Sequence, residues 1–300
     1  MSFSETFETP EPISVTLHLE VGGATIVAGK RTDTTVTVRP TEADKDADVR
    51  AAERTTVTYS GGQLTVRCPK KGLSFKNPGS VDVVIELPAH SRLNGRTGVG
   101  TIVSEGQLDT CRAEIGVGDL HMTHIGTARL SLGHGDILVD RISGDAEISG
   151  GGRLRVGAID GTATVSNSNG ETHLGEVTGE IHAKAANGAI VVGRAHAGVE
   201  AKSANGSIRV DELSSGSSRL ETSTGNIEIG IREGTAAWLD VRSKFGHVRH
   251  LLDSTEGPDK AEGSVEVRAH TGVGDITVRR ATTTGTATAT GTTTEADTDV

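Results

Sequence analysis

The feature of this sequence that most constrains its fold is a glycine that returns about every 18 residues. Successive glycines of this set are separated by 18, 17, 17, 18, 18, 18, 19, 21 and 28 residues. They are Gly100, Gly118, Gly135, Gly152, Gly170, Gly188, Gly206, Gly225, Gly246 and Gly274. A structural unit this short cannot bury a face alone, so the repeat predicts that successive units stack on one another.

Within each repeat, apolar and polar residues alternate. The second residue after the glycine is apolar in nine of ten repeats, and the fourth is apolar in eight of ten. The residues between them are often charged, as Arg155 and Arg209 are. Alternation with a period of two is typical of a strand with one buried face. A second glycine and a second alternating segment, such as Ala163 and Val165, then follow in most repeats.

The sequence therefore predicts an all-β protein: a parallel β-solenoid of the β-helix or β-roll type. Each turn of about 18 residues would contain two short strands and two tight corners. Equivalent positions in successive turns would lie about 4.8 Å apart and form ladders, with aliphatic side chains inside. No Phe, Tyr or Trp occurs between Gly95 and Glu233, which suits a thin interior. The aromatic residues near both ends are predicted to cap the terminal turns.

The chain divides into four predicted segments. These are an N-terminal arm (1–12), a β-rich lead-in and cap (13–94), the solenoid repeats with a C-terminal cap (95–280), and a disordered Thr/Ala/Gly tail (281–300). Within the lead-in, Gly61 and Gly62 predict a β-hairpin. Residues 41–54 suit one short helix or a loop, and residues 253–263 form a polar loop before the last turn.

Composition narrows the classes of partner and the cellular location. The formal net charge of −10 disfavours nucleic acid and anionic membrane. No segment approaches the roughly 18 apolar residues of a membrane-spanning helix, so no membrane insertion is expected. The N-terminus lacks the basic and apolar regions of a secretion signal, which predicts a cytoplasmic protein. Cys68 and Cys111 are expected to be free thiols, with a single disulfide as the alternative.

Two glycine motifs resemble fragments of ligand-binding loops. GVGD occurs at Gly116–Asp119 and at Gly272–Asp275, but a phosphate loop occurs once and opens a helix, whereas this motif recurs and opens strands. Calcium-binding β-rolls carry the motif G-G-x-G-x-D, with an aspartate two residues beyond its last glycine. Here Asp119, Asp136 and Asp275 follow the glycine directly. We therefore interpret these motifs as structural and predict no metal site and no cofactor.

The remaining polar residues give no reaction-competent set. Asn169, Asn187 and Asn205 precede the turn glycine in three consecutive repeats and predict a hydrogen-bonded asparagine ladder. The 11 histidines show no metal-ligand spacing with a third donor. The acidic residues are scattered, without the two fixed carboxylates of a glycosidase. No catalytic residue is predicted, and the protein is not expected to be an enzyme.

Several segments resemble a known family. They are NSNGETHLGEVTGEI (167–181), AANGAIVV (185–192), SANGSIRV (203–210), and the ending GIREGTAAWLDV with FGHV. Together with the opening EPISVTLHLEVGGATIVAGKRTDTTVTVRP, they resemble the bacterial “putative adhesin” β-strand-repeat family, a domain of unknown function. The resemblance covers roughly residues 10–280. It implies a β-repeat fold, its family name implies adhesion at a cell surface, and it carries over no catalytic residues.

Two functions from different classes remain open. The first is an intracellular scaffold that binds an unknown protein partner, and the alternative is an exported adhesin or carbohydrate-binding surface protein. The predicted partner face consists of the residues three after each glycine: His121, Leu138, Arg155, His173, Val191 and Arg209. This face mixes charge with exposed aliphatic side chains, as interfaces do. Self-association through the ends of the solenoid is a further expectation.

Overall fold

The computed structural model of the chain describes residues 2–69, 79–252 and 263–282. Most of these residues belong to one continuous 24-stranded sheet, which folds into two layers that face each other across an aliphatic core. We call these layers sheet A and sheet B. Each turn contributes one segment to sheet A and one to sheet B, and most of the pairing is parallel. The predicted all-β parallel solenoid is therefore confirmed.

The elements follow one another with short connections. The N-terminal part contains β1 (Phe3–Glu8), β2 (Ser14–Gly29), β3 (Asp33–Pro40), α1 (Asp46–Arg54), β4 (Thr56–Ser60), β5 (Gln63–Arg67), β6 (Val81–Pro88), β7 (Arg92–Val99), β8 (Ile102–Val117) and β9 (Leu120–His134). The central part contains β10 (Ile137–Ile142), β11 (Ala146–Gly150), β12 (Leu154–Ile159), β13 (Ala163–Asn169), β14 (Thr172–Val177), β15 (Ile181–Asn187), β16 (Ile190–Ala195), β17 (Val199–Asn205) and β18 (Ile208–Leu213). The C-terminal part contains β19 (Gly216–Thr224), β20 (Ile227–Ile231), β21 (Thr235–Phe245), β22 (Val248–Leu251), β23 (Gly263–Val273) and β24 (Ile276–Arg280).

The central turns match the predicted repeat. Even-numbered strands β10 to β18 lie in sheet A, and odd-numbered strands β11 to β19 lie in sheet B. Equivalent positions pair, so that Ile190 lies beside Ile208. The prediction of two short strands per turn is wrong for β8 and β9, because each of these strands runs through both sheets without a break. The pairing of β8 with β9 shifts register between Ser104 and Gln107, where Gly106 has φ 82°, so β8 contains a β-bulge within its sheet A portion.

The glycine before each sheet A strand is required by the close stacking of the corners. Gly188 has φ 141°, a backbone conformation that residues with a Cβ rarely adopt. A Cβ on Gly188 would also lie 2.0 Å from the carbonyl oxygen of Gly170 in the preceding turn. The 18-residue glycine period is therefore the period at which the chain passes its own previous corner.

The core is the ladder of inward-facing side chains that alternation predicts. Ile137, Leu154 and Ile190 are at most 2% exposed and lie in successive or nearby turns. Thr172 interrupts this apolar series but is also buried, and its hydroxyl oxygen lies 3.1 Å from the Nδ2 donor of Asn167. The polar exception is thus tolerated because it has a hydrogen-bond partner inside the core.

Both ends of the stack are interleaved. At the N-terminal end, β2 lies between β5 and β6 on one side and β7 and β8 on the other. At the C-terminal end, β23 and β24 lie between β19 and β20 on one side and β21 and β22 on the other. The prediction that turns stack in sequence order is therefore wrong at both ends. Interleaving gives the first and last turns hydrogen-bonded neighbours on both sides.

The N-terminal end is covered, as predicted. Strands β1 and β4 add antiparallel to β3 and β5, and residues 41–54 contain the helix α1. Ala51 and Ala52 of α1 are buried, and the Asp48 carboxylate accepts hydrogen bonds from the Ser80 and Glu42 N–H groups at 3.0 and 3.3 Å. No helix in the described ranges is long and apolar enough to cross a membrane.

The predicted role of the aromatic residues holds at one end only. The rings of Phe7 and Tyr59 pack against the N-terminal core with their centroids 5.3 Å apart. At the C-terminal end, Trp238 and Phe245 are 57% and 64% exposed and do not cap the core. Trp238 lies on the outer surface of its sheet and Phe245 at a corner, so neither ring can turn inward. Phe75, residues 253–262 and the tail beyond residue 282 lie outside the described residues.

The predicted segment boundaries can be compared with the elements. The predicted N-terminal arm contains β1, which pairs with β3. The predicted boundary between residues 94 and 95 falls inside β7. The hairpin predicted at Gly61 and Gly62 is present between β4 and β5, with φ values of 56° and 77° at the two glycines. The solenoid thus begins within the segment predicted to precede it.

The inward and outward assignment predicts the effect of charged substitutions on stability. Ile190→Asp places an unpaired charge in the core and should lower the free energy of unfolding by about 4 kcal/mol or more. Arg155→Asp, on the exposed face, should change the free energy of unfolding by no more than about 1 kcal/mol. Urea denaturation followed by circular dichroism measures both variants. Equal losses would show that the two faces are misassigned.

Candidate functional site

The six residues predicted as a partner face lie in one column on the outer surface of sheet A. The pairing register places His121 beside Leu138, Leu138 beside Arg155, Arg155 beside His173, His173 beside Val191, and Val191 beside Arg209. We call these six residues the sheet A column. With about 4.8 Å between turns, the column extends for roughly 24 Å along the rod.

The sheet A column combines cationic, imidazole and aliphatic groups. Leu138 is 39% exposed, and Val191 is half-buried between its polar neighbours. The Arg209 Nε lies 2.5 Å from Oδ1 of Asp211, and this hydrogen bond raises the pKa of Arg209 above its usual range. Arg155 forms no ion pair within the described residues, so its guanidinium faces solvent. The column can therefore offer a partner hydrogen-bond donors and apolar contact together.

Charges at the edge of sheet A are largely neutralised by one another. Arg141 lies 2.6 Å from Asp160, and Arg194 lies 2.6 Å from Glu176. The His196 Nε2 atom lies 2.8 Å from the second Glu176 oxygen, and this hydrogen bond, together with Arg194, holds the pKa of Glu176 below its usual range. These exposed pairs order the edge, whereas Arg155 remains available on the flat face.

Sheet B carries two adjoining shallow grooves that the sequence analysis did not single out. They enclose about 590 and 410 Å³, and both are lined by Arg112, Arg129, Glu147 and Thr164. Arg129 is paired with Glu147, whereas Arg112 forms no ion pair in the described part of the chain. The lining also includes the carboxylates of Asp145 and Glu114 and the hydroxyl groups of Thr110, Thr127, Thr162, Ser131, Ser149 and Ser166. The grooves arise from three outward columns that meet on the same face only after stacking.

The aspartates of the glycine motifs join successive turns. Oδ1 of Asp119 accepts the Asp136 N–H at 3.0 Å, and Oδ1 of Asp136 accepts the Arg153 N–H at 3.0 Å. Asp275 accepts the His247 N–H at 2.9 Å, and this hydrogen bond lowers the pKa of Asp275. These contacts explain why aspartate follows the glycine directly. Among the described residues, no group of three or more His, Cys, Asp or Glu side chains could hold a metal ion.

The predicted asparagine ladder is present. Nδ2 of Asn187 donates to Oδ1 of Asn169 at 3.2 Å, and Nδ2 of Asn205 donates to Oδ1 of Asn187 at 3.1 Å. Each amide bonds to the equivalent amide in the next turn, so the ladder connects turns along the corner. The Nδ2 groups of Asn187 and Asn205 and the Oδ1 atoms of Asn169 and Asn187 are thus used within the protein.

The two cysteine thiols and a histidine–serine pair are the residue types that act as nucleophiles in enzymes. Burial raises the pKa of the Cys111 thiol to about 12 and also raises the pKa of Cys68, so neither free cysteine is activated as a nucleophile. His124 Nε2 lies 2.5 Å from the Ser143 hydroxyl, a pairing that the sequence analysis missed because the residues are 19 apart and meet only across adjacent turns. A nucleophilic relay also needs a carboxylate to orient the histidine, and His124 has none among the described residues.

The aspartate contacts predict a small, calcium-independent effect on stability. Asp136→Ala removes the acceptor for the Arg153 N–H and should cost about 0.5–1.5 kcal/mol of unfolding free energy. Asp136→Asn retains an acceptor oxygen and should cost less. Thermal melts in millimolar calcium and in excess chelator should superimpose for the wild-type chain. A large stabilisation by calcium would contradict the structural role of these aspartates.

Comparisons with known proteins find similar solved structures and one matching family. Among solved structures, the chain is similar to a “putative cell adhesion protein” of Clostridium sporogenes (15% identity, 93% of this chain and 100% of that chain covered, TM-score 0.31). It is also similar to a “putative adhesin” of Parabacteroides merdae (12% identity, 93% and 96% covered, TM-score 0.40). No curated protein matches the sequence. The family model described as Toastrack DUF4097 matches residues 16–300, and the chain therefore belongs to the Toastrack family.

Proposed function

We propose that this protein is a non-enzymatic scaffold of the cytoplasm that binds a protein partner along the sheet A column. The observation that carries the proposal is the alignment of His121, Leu138, Arg155, His173, Val191 and Arg209 in one outward register on a regular sheet. A face of this kind offers contacts at a fixed spacing of about 4.8 Å. A partner segment that runs along the rod can therefore contact several turns.

The chemistry of the column favours a partner segment with acidic and apolar side chains. Arg155 and Arg209 would bind carboxylates, and Leu138 and Val191 would contact aliphatic groups. Both arginines lie on strands with neighbours on each side, so their backbone positions are fixed before binding. Preorganisation of this kind lowers the entropy cost of association.

Two observations support the non-enzymatic and cytoplasmic parts of the proposal. The described histidine and serine pair lacks an orienting carboxylate, and both cysteine thiols are buried with raised pKa values. Free cysteines are typical of proteins in a reducing compartment. These properties fit a binding protein that works inside the cell.

The sheet B grooves favour a second candidate function, that of an exported adhesin or carbohydrate-binding surface protein. Their hydroxyl groups, and Arg112, which has no ion pair among the residues the structure describes, could hydrogen-bond a polar polymer. Sugar-binding faces usually also present an aromatic ring, and no aromatic residue lines either groove. We therefore place partner binding on sheet A first.

Charge reversal on the sheet A column tests the proposal. Arg155→Asp with Arg209→Asp should weaken capture of partners from native cells at least roughly tenfold, because it replaces cations by like charges at an acidic contact. The matched control is Arg112→Asp with Arg219→Asp on sheet B. The two pairs are matched in their charge environment. Arg112, like Arg155, has no ion pair among the described residues, and Arg219, like Arg209, is paired with an acid two residues away, Glu221, at 2.6 Å.

Quantitative mass spectrometry of the captured proteins gives the readout, and thermal melts verify that both double variants are folded. The proposal requires partners that are lost with the sheet A variant and kept with the sheet B variant. The reverse pattern, with binding of glycans by the wild-type chain, would support the adhesin. Fractionation that finds the protein mainly outside the cell would contradict the cytoplasmic assignment.

A further inference from the structure

We propose that two copies of this chain associate end to end through their C-terminal turns, with β21 and β22 of one copy each pairing antiparallel with the same strand of the second copy. This contact would lie at the end of the rod, apart from the sheet A column. It would make a two-fold symmetric dimer with both sheets continuing across the junction.

The C-terminal turn presents an unpaired edge. Strand β21 pairs with β23 on one side, and β22 pairs with β24 on one side. On their other side, no strand of the described residues pairs with either of them. Backbone N–H and C=O groups along such an edge form a template for another strand. Because β21 is 11 residues long, the edge is an extended one.

The same turn exposes several large apolar side chains. Trp238, Phe245 and Leu251 are 57%, 64% and 63% exposed. The inward-facing Leu239 and Val241 are also only half-buried, whereas the residues they pair with in β23 are at most 2% exposed. The core is thus open to solvent at this end among the described residues. Another turn placed on it would bury Leu239 and Val241.

Symmetry favours a second copy of this chain as the partner of the open C-terminal turn. A two-fold axis perpendicular to the sheets would place β21 against β21 and β22 against β22, each pair antiparallel, so that sheet A continues into sheet A and sheet B into sheet B. A head-to-tail arrangement would instead require the N-terminal end, where α1 covers the core. Strands β1 and β4 also leave one edge unpaired among the described residues, but α1 covers the N-terminal core, whereas the C-terminal core is open. Two C-terminal ends therefore offer matching open surfaces.

The charges of β21 are self-complementary in this arrangement. Asp240 and Arg242 both project outward from β21, with Arg242 Nε 2.9 Å from Asp240 Oδ1. In an antiparallel pair centred on Val241, Asp240 faces Arg242 of the second copy, and Trp238 faces Lys244 of the second copy. The two cross-strand ion pairs and the two cation–π contacts are then equivalent by symmetry.

Single charge reversals and their mixture test this contact in the full-length chain. Sedimentation velocity over a wide range of concentration should show dimers for the wild type. Asp240→Arg makes positions 240 and 242 both cationic, and Arg242→Asp makes them both anionic. Each variant alone should therefore have a dimer dissociation constant at least roughly tenfold higher than that of the wild type. An equimolar mixture of the two variants should restore the dimer, because each cation then faces an anion.

The matched control is the pair of reversals Arg219→Glu and Glu221→Arg, on a strand with neighbours on both sides, which should leave dimerisation unchanged. Circular dichroism melts confirm that every variant is folded. A wild type that stays monomeric would overturn the proposal, since the turn would then be solvated or covered by another segment of its own chain. Failure of the mixture to restore the dimer would overturn the antiparallel register.

Discussion

The structure depends on the parallel hydrogen bonding of each strand to the equivalent strand of the next turn. The Ile190 N–H donates to the Ser207 carbonyl at 3.0 Å, and the Ile208 N–H donates to the Asn226 carbonyl at 2.9 Å. This pairing holds equivalent residues side by side, so one inward position becomes a column of core and one outward position becomes a column of surface. The asparagine ladder and the sheet A column are consequences of the same register.

In a stack of hydrogen-bonded strands, the strands at the two ends lack a neighbour on one side. The chain threads its first turn, β2, and its last turn, β23 with β24, one place inside the stack. At the N-terminal end, α1 then covers the core, whereas β21 and β22 leave it open at the other. The proposed partner face lies along the side of the rod and the proposed self-association at its open end, so both contacts can form together.

The sequence predicted the repeat and its inward positions because these depend on local alternation. The column from His121 to Arg209 could be predicted because stacking at one period aligns positions three after each glycine. Interleaving could not be predicted, since β2 pairs with strands that follow it by many residues and no local pattern specifies that order. The sheet B grooves were missed because their lining comes from several columns.

The exceptions to the repeat pattern are explained by position in the stack. Thr172 replaces an aliphatic residue where Asn167 provides a partner inside the core. His250 occupies an inward register position beside Val278, yet it is exposed because it belongs to the terminal turn. Trp238 and Phe245 lie near a chain end, as caps would, but on outward and corner positions. Proximity to an end of the sequence therefore does not specify which surface a residue covers.

The most direct test of this account is hydrogen–deuterium exchange of the full-length chain, measured by mass spectrometry at a concentration where it is monomeric. If the stack is interleaved, residues 14–29 and 263–280 should exchange as slowly as the central strands, because both have paired neighbours on each side. Residues 235–251, at the open end, should exchange faster than residues 263–280. The opposite order, with 263–280 exchanging faster than 235–251, would show that the turns stack in sequence order and would contradict the account.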